Sequence, residues 1–126
     1  MPMIITLFHY KTGTETHSIE TDAIAYLKNV KRIIELYIWN PRDNSITLAS
    51  KFYSTVSDAM SRLPASQFLR CERSHIVNMG HIQLMEKNAF ILKDNDETNI
   101  PISRSQKTDA AKAFFMYQES IKRVNL

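Results

Sequence analysis

Glycine and cysteine are nearly absent from this chain of 126 residues, with two of the first and one of the second. Gly13 and Gly80 stand far apart, so neither a GxGxxG turn nor a Walker A loop can be assembled. The lone Cys71 has no partner for an internal disulfide, which fits a cytoplasmic setting. No apolar run approaches the roughly 20 residues of a membrane-spanning helix. Residues 1–6 lack the basic-then-apolar order of a secretory signal. There is also no repeat, no low-complexity tract and no Pro/Gly-rich linker, so residues 1–126 read as a single domain.

Catalytic and metal chemistry are equally poorly provided for. Cys71, His75 and His81 are the one grouping with a metal-like spacing, and a structural zinc site needs a fourth ligand that is not nearby. Cys71 sits in an apolar strand pattern and reads as a small buried hydrophobe. The acidic residues are dispersed, with no pair placed for acid–base work. The expectation is a protein that is not an enzyme and needs neither metal nor cofactor.

What is present is enough apolar residue, 44%, for a core, and a modest positive balance of +3. That balance permits a polyanionic partner without requiring one; the placement of the cations matters more. They recur in three groups: Lys28, Lys31 and Arg32; Arg70 and Arg73; Arg104 and Lys107. The competing reading is a set of cations scattered over a solvated surface.

Short extended segments fill most of the chain. Residues 4–10 are rich in β-branched and aromatic side chains, with a turn at 11–14 and a second strand at 16–20. Residues 24–27 and 33–39 flank a polar, basic connection and predict a hairpin, followed by a turn at 40–44 and a returning strand at 45–51. Ser54 or Thr55 can cap a short helix over 56–63, stopped by Pro64. Strands follow at 67–71, 81–86, 89–93 and 99–102. Ser103 or Ser105 can then cap a terminal helix whose Ala110, Phe114, Tyr117, Ile121 and Val124 share one face, directed at the sheet. The pattern predicts a mostly β domain with one short internal helix and a C-terminal amphipathic helix.

The most informative stretch is Phe68-Leu69-Arg70-Cys71-Glu72-Arg73-Ser74-His75-Ile76-Val77-Asn78. An apolar strand breaks into Glu-Arg-Ser-His and then resumes. An unpaired charge on a buried path is costly, so Arg73 must face solvent, a carboxylate such as Glu72, or a ligand. Ile100-Pro101-Ile102-Ser103-Arg104 repeats the arrangement just before the last helix. Surface capping and ion pairing are the alternative for both.

Together these segments resemble the paired signature of the LytTR DNA-binding domain. The matching positions are Phe68, Arg70, Arg73, Ser74, Ile76, Val77, Asn78 and Ile82, then Ile100, Pro101, Ile102, Ser103 and Arg104. The resemblance takes in about residues 4–117, by layout in its first part. Glu72 stands where the family usually has His, and His75 where it has an aromatic. The acid either pairs with Arg73 and orients it or weakens its attraction for phosphate.

The resemblance implies an elongated stack of small, mainly antiparallel β-sheets that reads double-stranded DNA through loops in successive grooves. Carried onto this chain, the DNA-binding positions are Lys31, Arg32, Arg73, Ser74, Asn78, Arg104, Ser105 and Lys107. Arg104 and one of Lys31 or Arg32 are candidates for base edges, since arginine can grip guanine O6 and N7. Arg73 suits the minor groove. Ser74, Asn78 and Lys107 suit positioning or structural roles, and Asn78 can simply close its turn. The family further implies paired direct repeats in promoters and, in a longer parent chain, a receiver domain that this sequence does not contain. It implies the output module of a bacterial transcription regulator, either excised or stand-alone.

Two rivals remain at this point. One is a β-rich protein-interaction module whose basic groups are incidental. The other is a single-strand or RNA binder, which would need Phe8, Tyr10, Tyr26, Tyr37 and Trp39 to offer exposed rings for base stacking.

Overall fold

The computed structural model describes residues 5–124. Its centre is a five-stranded antiparallel sheet built from β3 (Ile24–Val30), β4 (Ile33–Asn40), β5 (Ser45–Tyr53), β6 (Phe68–Glu72) and β7 (His75–Asn78), in the order β5-β4-β3-β7-β6. A hairpin of β1 (Leu7–Thr12) and β2 (Glu15–Glu20) packs along β5. A three-stranded sheet of β8 (Ile82–Met85), β9 (Ala89–Leu92) and β10 (Asn99–Pro101) forms the third layer. The helices are α1 (Val56–Ser61) and α2 (Lys107–Val124).

Both faces of the central sheet are covered around β3, β6 and β7, which is why these strands carry apolar residues on consecutive positions, whereas edge strand β5 is largely exposed. Ile24, Leu27, Phe68 and Ile76 point to one face, where they meet Phe8, Tyr10 and the α1 residues Val56 and Ala59. Ala25, Cys71 and Val77 point to the other and meet Phe90, Leu92, Ile100 and the α2 residues Ala110 and Phe114. A bulge between Arg70 and Glu72 lets Cys71 turn inward while its neighbours stay near the surface.

Expected and observed elements agree closely, with local differences. The first hairpin closes through Gly13 and Thr14 alone, Gly13 taking φ +62 at the first loop position, so β1 runs on through Lys11 and Thr12. The expected strand start at Ile4 lies outside the described residues. The basic connection narrows to Lys31 and Arg32, since Lys28 to Val30 belong to β3. Thr55 is the α1 cap, its hydroxyl accepting from the Asp58 N–H at 3.0 Å.

Two expectations for the terminal helix are corrected. Ser103 precedes a 3-10 turn over Arg104–Gln106 that leads into α2, and its hydroxyl makes no capping bond. The apolar stripe is buried at Ala110 and Phe114 and half-buried at Tyr117, but Ile121 is 39% exposed. The sheet beneath α2 no longer covers its last turns. The side chain of Val124 lies outside the described residues.

Candidate nucleic-acid interface

Antiparallel pairing decides where the cations go. Val30 faces Ile33, Ile33 faces Tyr53, Lys28 faces His75, and His75 faces Glu72. The β3–β4 turn, the β6–β7 turn and the exit of β5 therefore share one end of the central sheet. The 3-10 turn joins them there. Ser103 N–H donates to the Cys71 carbonyl at 3.0 Å. The Gln106 amide, with its NH2 turned inward, donates to the Arg70 and Cys71 carbonyls. These bonds strap the Arg104 segment to the end of edge strand β6. The far end is built differently, from the 40–44 turn clasped by Asn95 and from the Asp22 and Asp94 regions.

Along the near end the cations follow strand order: Lys31 and Arg32, then Arg73, then Arg104 with Ser105 and Lys107. At about 4.8 Å per strand the row spans roughly 15–20 Å. Lys31, Arg32, Arg73, Arg104 and Ser105 are exposed, whereas Ser74 and Lys107 are half-buried. Among the described residues the ion pairs are His17–Glu15, Lys51–Glu35, Arg62–Asp58, His75–Glu72 and Lys122–Glu119, so none of these site cations is neutralised by a carboxylate.

Lys31 occupies the first position of a two-residue loop at φ +62. Glycine takes that conformation freely, whereas a residue with a Cβ is disfavoured there by about 1–2 kcal/mol. The loop thus holds a lysine where backbone stability alone favours glycine.

The β6–β7 turn is shaped by Glu72, and not through a pair with Arg73. Both carboxylate oxygens accept from the Ser74 N–H, at 3.0 and 3.1 Å, and Oε2 lies 3.2 Å from Nδ1 of His75. Burial by itself would raise the Glu72 carboxyl; the Ser74 N–H, the His75 ring and the Arg73 charge outweigh it and hold it below the usual range. Ser74 returns its carbonyl to the Asn29 N–H at 2.8 Å, locking the turn to β3. The Arg73 carbonyl accepts from Arg70 Nη2 at 2.8 Å, which leaves the Arg73 side chain outside these bonds.

Asn78 does not belong to the interface. It is 1% exposed, its NH2 donates to the Ile24 and Thr21 carbonyls, and its Oδ1 accepts from Gly80 N–H. Its polar capacity is spent inside the fold, so DNA cannot reach it. Residues that sequence reasoning left unassigned enter instead: Asn29, Thr55, Ser57 and Arg70 line the concavity between the two turns. Arg70 was visible as a cation, but nothing local in sequence reveals that α1 approaches it.

Phe8, Tyr10, Tyr26, Tyr37 and Trp39 do not form a stacking platform. Phe8 and Tyr10 are buried, Tyr26 stacks on Tyr37 at 4.3 Å, and Trp39 donates its Nε1–H to Asn44 at 2.7 Å. Cys71 is fully buried, and burial pushes its thiol up to about 12, far from a reactive thiolate. Among the described residues no group of three or more His, Cys, Asp or Glu is placed to hold a metal, and no helix is long and apolar enough to cross a membrane.

Comparison with known proteins gives concordant matches. Residues 14–114 match the LytTr DNA-binding domain family. Over 55 residues the chain is 38% identical to the transcriptional regulatory protein YpdB of Escherichia coli O6:H1, a match covering 40% of this chain and 22% of that protein. The fold matches the LytTr DNA-binding domain of a putative methyl-accepting/DNA response regulator from Bacillus cereus. That match has a TM-score of 0.63 at 20% identity and covers 86% of this chain and 95% of the other.

Proposed function

The chain belongs to the LytTR DNA-binding domain family, a non-catalytic family of transcriptional regulators, and from that premise we propose how it reads DNA. The near end of the central sheet lies along a duplex, and its two turns and its 3-10 turn enter neighbouring grooves. The observation that carries this reading is the row of unpaired cations from three distant parts of the chain on one sheet end. A row of roughly 15–20 Å is close to half of the ~34 Å helical turn. That length suits one major groove and the minor groove beside it, and is short for two major grooves.

Within that row Arg104 and one of Lys31 or Arg32 contact base edges, and Arg73 enters the minor groove. Ser74, Ser105 and Lys107 position the backbone. The domain acts in the cytoplasm as the output module of a bacterial regulator, on paired direct repeats, with a receiver domain in the parent chain supplying the signal. A protein-interaction module with incidental cations is less well supported, because such a surface has no reason to gather cations free of carboxylate partners.

Selection of bound duplexes from a random pool, followed by a salt titration on the winner, tests the proposal. Log affinity should fall linearly with log salt, at about −0.9 per phosphate contacted. A flat salt response, or a preference for single strands over the selected duplex, would refute it.

A further inference from the structure

The end of the central sheet opens, between its two turns, into a concavity of about 350 Å3. Three cations, Lys31, Arg70 and Arg73, line it together with the hydroxyl-bearing Thr55, Ser57 and Ser74, and no carboxylate does. Arg70 reaches it from β6 on the α1 face, where Nη1 lies 3.4 Å from the Ser57 hydroxyl and Nη2 donates to the Arg73 carbonyl. Its Nε–H is buried without a partner. The Arg70 guanidinium thus keeps donor capacity unspent, and a charged donor group short of acceptors is costly. Asn29 Oδ1 is likewise buried and unpaired.

We propose that this concavity seats one phosphate of the DNA backbone, with Arg70 as its principal donor. The inference rests on the DNA-binding reading above and adds a contact outside the three basic loops. The Nη1 and Nη2 end of the Arg70 guanidinium, each nitrogen with a second N–H to give, matches two phosphate oxygens, a geometry lysine cannot reproduce. Lys31 and Arg73 flank the anion, and Ser57 donates a hydroxyl. Because the seat lies between the β3–β4 and β6–β7 turns, a phosphate held there fixes both against the duplex at once. It sets register and carries no sequence information of its own.

The test uses the selected duplex with single methylphosphonate replacements walked along both strands, each removing one backbone charge. The unaltered protein should lose about tenfold at one position, the size of a charge-assisted hydrogen bond. Arg70→Gln should bind all duplexes about tenfold more weakly, lower the salt slope by about 0.9, and be indifferent to the replacement at that position. Arg70→Lys, which keeps the charge and places less demand on folding, should retain the salt slope yet show most of the affinity loss. Circular dichroism melts confirm that the variants are folded.

If both Arg70 variants stay sensitive at every position that matters to the parent protein, the loss is only structural and the seat is wrong. A protein that binds no duplex overturns the DNA reading and the seat together, whereas normal duplex binding without coupling overturns the seat alone.

Discussion

Oε2 of Glu72 lies 3.2 Å from Nδ1 of His75 across the β6–β7 turn, and these are the two positions at which the chain departs from its family's signature. The departures meet each other. The acid that sits beside Arg73 is occupied by the histidine and by the Ser74 N–H, so it shapes the turn and leaves the Arg73 side chain outside these bonds. Its charge still opposes phosphate. Glu72→Gln keeps an acceptor for Ser74 and removes that charge. At about 8 Å in water the relief is about 0.5 kcal/mol, so affinity for any duplex should rise about twofold at low salt and return to parity at high salt. Filter-binding titrations at two ionic strengths check this; a fall in affinity would mean that the charge orients the turn.

Lys31 at φ +62 sets backbone stability against binding. Lys31→Gly should raise unfolding stability by about 1 kcal/mol, read as a higher urea midpoint, because the left-handed penalty disappears. The same variant should bind duplex DNA more weakly, with a salt slope smaller by about 0.9. Gain of stability with unchanged binding would remove Lys31 from the interface.

Asn78 should behave as a purely structural residue. Asn78→Ala leaves the Thr21 and Ile24 carbonyls without their donor and Gly80 N–H without its acceptor. The cost is about 2–4 kcal/mol in urea unfolding. Below the melting transition, DNA affinity per folded molecule should match the parent protein.

Arg104→Ala should cost about 1–3 kcal/mol in specific binding and relax preference at one base pair. Lys107→Ala should weaken all sequences alike. Gel-shift titrations on the selected duplex and its point variants separate the two; intact specific affinity in Arg104→Ala would contradict a base contact.

His81 gives the fold a pH dependence away from the interface. Burial holds its pKa below the usual value, with Lys93 adding to the effect, while its Nε2 lies 2.8 Å from the Asp22 carbonyl. The unfolded chain therefore takes up the proton first. Stability is fully present above the ordinary histidine value of about 6.5 and declines as pH falls from there through the lower folded value. Urea midpoints measured from pH 8 to 5 should drop in the parent protein and be flatter in His81→Gln, which keeps a donor for Asp22.

Much of the fold was legible because local chemistry and tertiary packing agree. Segments rich in β-branched and aromatic residues became strands, Thr55 capped α1, which stops at Ser61 ahead of the expected Leu63, and the Arg-Ser and Ser-Arg segments fell at a turn and before a helix. Asn78 and the terminal helix mark where legibility ended. An asparagine within a signature looks the same whether it faces a ligand or a pair of carbonyls. A helical stripe likewise does not say how far its partner sheet extends, and Ile121 lies past that limit.

The sequence by itself determined which residues carry charge, where strands must break to let a cation out, and the family whose pattern those breaks repeat. Tertiary structure alone decided that Lys31, Arg73 and Arg104 share a sheet end and that Arg70 meets Ser57. It also decided that Glu72 answers His75 and not Arg73. Strand pairing sets Lys28 opposite His75, 47 positions further along the chain, and the direction of a side chain depends on such pairings and bulges, which one-dimensional spacing does not encode.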